Sequence, residues 1–208
     1  MRIIGGEFRS RVLIAPRGTE TRPTSDRLRE TLFNVIQPRL AGARFLDLYA
    51  GSGANGLEAL SRGAAQAVFV EQASTALAAI RANVTSLGVG GRAQVEGVPV
   101  RRWLANAVRT PENGTMSPIV PAFHVIFLDP PYTDTEEYRA VLEHLGSEGA
   151  RLVVPGGVVI AEHRRDREGN YAKQRNTPVP AVLAQSYGLL RRKRTLEQGD
   201  AALSFYVV

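Results

Sequence analysis

Asp129-Pro130-Pro131-Tyr132 sets a carboxylate, two conformationally fixed residues and an aromatic ring directly after the apolar run Val125-Ile126-Phe127-Leu128. Four successive apolar residues read as a strand buried on both faces, and prolines, which cannot donate to a ladder, end it. This combination suits one reaction in particular, alkylation of the exocyclic amine of a nucleobase. That nitrogen is a poor nucleophile because its lone pair is delocalised into the ring. Two acceptors aimed at its hydrogens, the Asp129 carboxylate and the Pro130 carbonyl, would help it pyramidalise. Pro130 and Pro131 hold the geometry without an entropic loss at each turnover, and Tyr132 offers a face for a base lifted from its stack, worth about 1–3 kcal/mol. Alone, the tetrapeptide would read as a strand cap; its company decides otherwise.

That company begins at Gly51-Ser52-Gly53-Ala54-Asn55-Gly56, a literal G-x-G-x-x-G between the strand "RFLDLY" and the helix "ANGLEALSRG". Glu71 ends the next strand, at about the 20-residue spacing of a dinucleotide site, where the acid bonds ribose hydroxyls. Asp47, just before the loop, argues against NAD: a carboxylate there repels a pyrophosphate but suits a ligand that carries an ammonium group. S-adenosylmethionine has the ammonium, the ribose and the electrophilic methyl, and its chemistry needs no metal. The three histidines, His124, His144 and His163, lack metal-ligand spacing and read as structural.

Around these residues the chain alternates strands and helices. "RFLDLY", "AVFVEQ", "RAQVEG", "VIFLD" and "GVVIAEH" read as strands; "ANGLEALSRG", "STALAAIRANVTSLG" and "TEEYRAVLEHLG" read as helices. This is an α/β chain with a mostly parallel sheet and helices on both faces. A hairpin, "SYGLLRRKRT" and "AALSFYVV" around "EQGD", closes the chain and adds one antiparallel strand, with Arg191–Arg194 guarding an edge. "MRIIGGEFRSRVLIAP" reads as two short strands around a basic turn, with Arg9 and Arg11 near its tip. Thr24 or Ser25 caps a helix that buries Leu28, Leu32, Val35 and Ile36, while Arg22, Arg27 and Arg29 lie on a solvated face at its start. Segments 109–122 and 164–180 read as loops, and Trp103 as helix packing.

The chain of 208 residues has no cysteine and no apolar run near the roughly 20 residues that span a membrane, which fits a cytoplasmic location and no membrane partner. Its net charge of +6 points to a polyanion, although only Lys173 and Lys193 are lysines and arginine-rich codon usage accounts for as much.

"MRIIGGEFRSRVL", "TRPTSDRLRETLFNVI", "DLYAGSGANGLEALSRGA" and "FLDPPY", in that order, resemble the bacterial RsmD family over essentially the whole chain. The resemblance implies a Rossmann-like class I methyltransferase: a seven-stranded sheet over residues 23–208, and an N-terminal β-hairpin extension at 1–22 that contacts RNA. It implies transfer of a methyl group from S-adenosylmethionine to N2 of one guanine in 16S ribosomal RNA, with the RNA itself, the small subunit or an assembly intermediate as partner; the sequence leaves the oligomeric state open, with a monomer favoured. By motif position, Asp47, Gly51, Gly53 and Glu71 become cofactor residues, Asp129, Pro130, Pro131 and Tyr132 the target-base site, and Arg9, Arg11 and Arg22 candidates for phosphate contact. One departure stands out: Val98 and Pro99 occupy the place where the family often has a polar residue for the adenine amine. The rivals are a DNA adenine or cytosine amino-methyltransferase, which the same tetrapeptide serves, and an RNA-binding protein on a disused fold.

Overall fold

Strand residues alternate between two apolar layers, which is why the central strands read as unbroken hydrophobic runs. The structure is a computed structural model that describes residues 1–16, 26–109, 117–118, 120–132, 134–165 and 183–208. Its elements are α1 (Asp26–Ile36), β1 (Arg44–Leu48), α2 (Ala54–Ser61), β2 (Gln66–Val70), α3 (Ser74–Leu87), β3 (Ala93–Glu96), α4 (Val100–Ala107), β4 (Val108–Arg109), β5 (Ser117–Pro118), β6 (Phe123–Leu128), α5 (Thr135–Leu145), β7 (Val153–Arg164), β8 (Ser186–Tyr187), β9 (Leu190–Gln198) and β10 (Ala201–Val207). Phe45, Phe69, Val125, Phe127 and Ile160 pack on α1, α2 and α3. Leu46, Leu48, Val68, Ile126, Leu128 and Val159 pack on α4 and α5.

The main sheet has the order β3-β2-β1-β6-β7-β10-β9-β8. The pairs from β3 through β7 are parallel, and β10 runs antiparallel between β7 and β9. Among the described residues the sheet has eight strands, one more than the seven expected. The extra member is the two-residue β8, formed where the chain reverses at Gly188 (φ +53°) and pairs Tyr187 with Leu190. Among the described residues β8 pairs with β9 only at Leu190 and Arg191, and Arg191, Lys193 and Arg194 are exposed there. The reversal of strand order between β1 and β6 puts the carboxyl ends of both strands at one crevice, where open α/β sheets bind ligands.

The N-terminal segment departs from the expected pair of strands. Among the described residues its one bridge joins Arg2 to Val12, with Ile3 N–H on the Arg11 carbonyl (2.9 Å) and Ser10 N–H on the Ile3 carbonyl (2.9 Å). Other backbone donors turn to α2 instead. Ile4 and Gly5 donate to the two carboxylate oxygens of Glu58 (2.7 and 2.8 Å), Glu7 N–H to the Ser61 carbonyl, and Phe8 N–H to Ser61 Oγ. Ile3 and Leu13 are buried in the α1–α2–α3 layer, so the segment is built into the core.

Arg29 is a second correction. It is 1% exposed, not solvated: its Nη2 donates to Asp26 (2.8 Å) and to the Arg2 carbonyl (2.6 Å), and its Nε lies 4.0 Å from Glu58. A one-residue shift of the apolar stripe, with Phe33 buried and Val35 only partly so, turns Arg29 inward beside Leu28 and Leu32. Thr24 and Ser25, the expected caps, lie outside the described residues.

Candidate active site

β1 delivers Asp47 and the glycine loop. Asp47 faces the same layer as Phe45, toward α2, and its Oδ2 accepts the N–H of Gly56 at 2.9 Å. The carboxyl is 1% exposed and its pKa is pushed up to about 8, chiefly by burial; the Gly56 N–H opposes the rise and the Glu71 charge adds to it. Gly51 and Gly53 both take left-handed φ values, +55° and +78°. A side chain at Gly51 would meet no neighbour within 4 Å, so the left-handed φ, not crowding, is what favours glycine there. Gly56 is needed for a different reason: a Cβ there would stand 2.3 Å from the Phe69 ring, so only glycine lets α2 sit on β2.

Glu71, at the end of β2, braces the same loop from the other side. Its Oε2 accepts Gly51 N–H (2.9 Å), while its Oε1 accepts the N–H groups of Gln72 and Ala73 (2.7 and 2.8 Å). Three of about four lone-pair positions are thus taken by backbone, and one stays available to a hydroxyl donor. Glu71 lines a cavity of about 320 Å³ together with Tyr49, Gln72, Pro99, Val100, Arg101, Pro131, Asp134 and Glu137. Asp47, Gly51, Gly53, Asp129, Pro130 and Tyr132 are absent from this lining; Asp47 holds the glycine loop through Gly56. Pro99 and Val100 give the cavity an apolar wall.

β6 delivers Asp129, half-buried, beside the buried Pro130. Burial raises the Asp129 pKa well above the carboxylate range, and the Glu162 and Asp47 charges add to the rise. The Pro130 carbonyl, expected to face the crevice, has a partner inside the protein: the Tyr138 hydroxyl lies 3.1 Å from it and 2.7 Å from the Glu162 carbonyl. One hydroxyl proton serves one acceptor at a time, and the shorter contact is the stronger, so a lone pair of the Pro130 carbonyl remains. Pro131 accepts Asp134 N–H (2.8 Å), and Asp134 caps α5 through Glu137 N–H (3.0 Å). Tyr132, partly exposed, donates its hydroxyl to Glu162 Oε1 at 2.9 Å.

Asp47, Gly51, Gly53, Glu71 and the 129–132 tetrapeptide therefore come together at the ends of β1, β2 and β6. The expected RNA contacts lie elsewhere: Arg9 and Arg11 are exposed on the N-terminal segment, Arg11 bonding the Ser86 carbonyl of α3 (2.9 Å), and Arg22 lies outside the described residues. Two of the histidines bond neighbouring strands. His124 Nδ1 accepts Arg44 N–H, and His163 bonds Ser204. Trp103 is buried against Phe123.

Several residues escaped the sequence. Tyr49 takes a left-handed φ of +63° and donates its hydroxyl to Glu137 (2.6 Å), spanning from the glycine loop to α5. Glu162 is 1% exposed at the end of β7. A signal for Glu162 was present: it closes the apolar run "GVVIA" just as Glu71 closes "AVFV" and Asp129 closes "VIFL".

A sheet of this order, with a glycine loop after β1 and an acid-proline-proline-tyrosine sequence after β6, has the Rossmann-like class I methyltransferase fold. A Salinibacter ruber RNA methyltransferase solved with S-adenosyl-L-homocysteine shares it, with a TM-score of 0.55 at 14% identity over 88% of this chain and 91% of that one. Closer in sequence is a hypothetical protein of Thermus thermophilus, TTHA0928, 31% identical with a TM-score of 0.72, covering 99% of this chain and 98% of that one. Residues 1–179 match the family described as Conserved hypothetical protein 95. The Bacillus subtilis protein YlbH is 38% identical over 168 residues, 81% of this chain and 85% of that one. The Haemophilus influenzae ribosomal RNA small subunit methyltransferase D is 31% identical over 196 residues, 94% and 89% of the two chains. The chain belongs to this family, the RsmD family of the resemblance noted above.

Proposed function

We propose that this protein transfers a methyl group from S-adenosylmethionine to N2 of a guanine in small-subunit (16S) ribosomal RNA. The observation that carries this reading is the half-buried Asp129, set at the end of β6 with Tyr132 three residues on and the braced glycine loop of β1 alongside. The cavity fits the cofactor by its chemistry: a carboxylate with a spare lone pair at Glu71 and apolar walls at Pro99, Val100 and Pro131. When bound there, the cofactor supplies an electrophilic sulfonium methyl.

Asp129 accepts a hydrogen of the guanine amine and directs the nitrogen lone pair away from the ring. The surroundings that raise its pKa also make it a better proton acceptor than a carboxylate in water, so it can take the proton that the newly methylated, cationic nitrogen must lose. The Pro130 carbonyl provides the second acceptor through its remaining lone pair. Tyr132 supplies the stacking face, and Asp47, Gly51, Gly53 and Glu71 shape the cofactor side. The specific guanine amine rests on family membership, and the ribosomal substrate on the activity named for the Haemophilus relative. Residues 1–22 act as the RNA-contacting extension of a methyltransferase domain at 23–208, with Arg9, Arg11 and Arg22 reaching phosphates.

The test is methyl transfer from labelled S-adenosylmethionine to small-subunit ribosomal RNA and to intact small subunits from cells that lack this activity, with the product nucleoside identified by mass. N2-methylguanosine is the expected product. Asp129→Ala should reduce turnover by about a hundredfold or more with cofactor affinity unchanged. An active Asp129→Ala enzyme, or a methylated adenine or cytosine, would refute the assignment.

A further inference from the structure

Glu162 enters the reaction above only through its charge beside Asp129, and its hydrogen bonds have as yet no part in it. The parallel register pairs Leu128 with Ala161, so the next residues, Asp129 and Glu162, emerge side by side at the carboxyl ends of β6 and β7. Burying a carboxylate costs several kcal/mol unless its surroundings compensate, and an apolar residue would fill the same place in the sheet without that cost. What the carboxylate does there is visible in its contacts. Oε1 accepts the Tyr132 hydroxyl at 2.9 Å, reaching across 30 residues of chain. The backbone of Glu162 is held in turn by Tyr138, which is fully buried on α5 and whose hydroxyl lies between the Glu162 and Pro130 carbonyls. Strand β7, helix α5 and the 129–132 segment are thus tied at one point.

We propose that Glu162 is a positioning residue for the target base: by accepting the Tyr132 hydroxyl it fixes the ring on which the flipped guanine stacks, while Tyr138 fixes Glu162. This rests on the reading of Tyr132 as the stacking platform. The Tyr132 ring is partly exposed and follows two prolines that constrain its backbone but not its side chain. Its hydroxyl bond to Glu162 holds the far end of that side chain. Releasing it loosens the hold on the ring, and a misplacement of about 1 Å at a reacting centre can cost a hundredfold in rate. Glu162 acts through Tyr132, so its loss falls on RNA-dependent kinetics and spares cofactor binding.

The experiment compares the full chain with Tyr132→Phe, Glu162→Ala, Glu162→Gln and the Tyr132→Phe/Glu162→Ala double variant. It measures initial rates at varied small-subunit RNA and saturating S-adenosylmethionine, cofactor Kd by calorimetry, and ring signals of Tyr132 in tyrosine-labelled protein by NMR. Tyr132→Phe and Glu162→Ala should each lower kcat/KM by a similar factor, about ten- to a hundredfold. The double variant should be no worse than Glu162→Ala, because one hydrogen bond is lost in every case and the charge beside Asp129 is already lost in Glu162→Ala. Glu162→Gln loses that charge but its amide oxygen still accepts the hydroxyl, so it should retain at least about threefold more activity than Glu162→Ala, and Kd should not move in any variant. The Tyr132 ring should lose its fixed environment in Glu162→Ala and keep it in Glu162→Gln. Losses that add in the double variant, a Tyr132→Phe enzyme as active as the parent, or a Tyr132 ring unchanged in Glu162→Ala would overturn the proposal. If Glu162→Ala does not fold, Tyr132→Phe against Glu162→Gln decides it. Should the parent chain methylate no RNA, the functional reading fails by itself, and the ring signals still report whether Glu162 holds Tyr132.

Discussion

Replacing Glu58 by glutamine asks how firmly the N-terminal segment is anchored. Glu58 has no exposed surface, and its carboxylate accepts from Ile4 N–H (2.7 Å), Gly5 N–H (2.8 Å) and Arg62 Nε (2.6 Å), with Arg29 Nε 4.0 Å away. Glutamine keeps one acceptor oxygen but presents an amide NH₂ to groups that are all donors. At least one of three hydrogen bonds is lost, and two buried guanidinium groups lose their shared counter-charge. Breaking a buried pair in this way costs about 3–5 kcal/mol. The stranded amides belong to the same network, so their cost is not added again. At roughly 2–4 °C per kcal/mol for a chain of this size, Tm should fall by on the order of 10 °C. Thermal melts provide the magnitude, and hydrogen exchange at the Ile4 and Gly5 amides provides the place. Both amides should exchange faster than those of β1. A Glu58→Gln chain that melts within about 2 °C of the parent, with Ile4 and Gly5 still protected, would refute the view that this carboxylate bolts the segment to α2.

Other outcomes follow from the glycine loop and its acids. Gly56→Ala forces a methyl group into the Phe69 ring and should cost about 1–3 kcal/mol in urea melts, with weaker cofactor binding by calorimetry because α2 and the loop move together. Asp47 has a folded pKa near 8, above its unfolded value, so its contribution to stability is present at low pH and is lost as pH rises from about 4 through about 8. Asp47→Asn abolishes this dependence, and melts at pH 5 and pH 9 should show the variant gaining on the parent at the higher pH; a constant difference would contradict the sign. A cationic ligand near that carboxyl would draw off its proton, so cofactor affinity in the parent should rise between about pH 6 and 8 and stay flat in Asp47→Asn. Titration calorimetry in buffers of different ionisation enthalpy measures that proton release.

The parallel half of the sheet and its helices were readable because their signals are local. Leu77, Ile80, Val84 and Leu87 recur at helical spacing on α3, Gly88 ends it with a φ of +67°, and the strand runs end in acids or prolines. The same local reading placed Asp47, Gly51, Gly53, Glu71 and Asp129 at one crevice, since a parallel sheet brings all its strand ends to one edge. Residues whose role depends on a distant partner were misread. Arg29 looked like a surface cation because the carboxylate of Glu58 lies 29 positions away on another helix. The first strand of the N-terminal segment looked like half of a hairpin because α2, which receives its N–H groups, is invisible from residues 3–8. Tyr138 is the sharpest case: its spacing on α5 marks an inward-facing ring, correctly, yet its hydroxyl determines how the Pro130 carbonyl is shared. Periodicity reports which side of an element is buried, and it is silent on the polar atom at the end of a buried ring. At this site those atoms, on Tyr132, Tyr138 and Glu162, join the base-binding segment to the neighbouring strand. Placing the chemistry therefore needed only the strand ends, whereas its alignment needed the contacts between them.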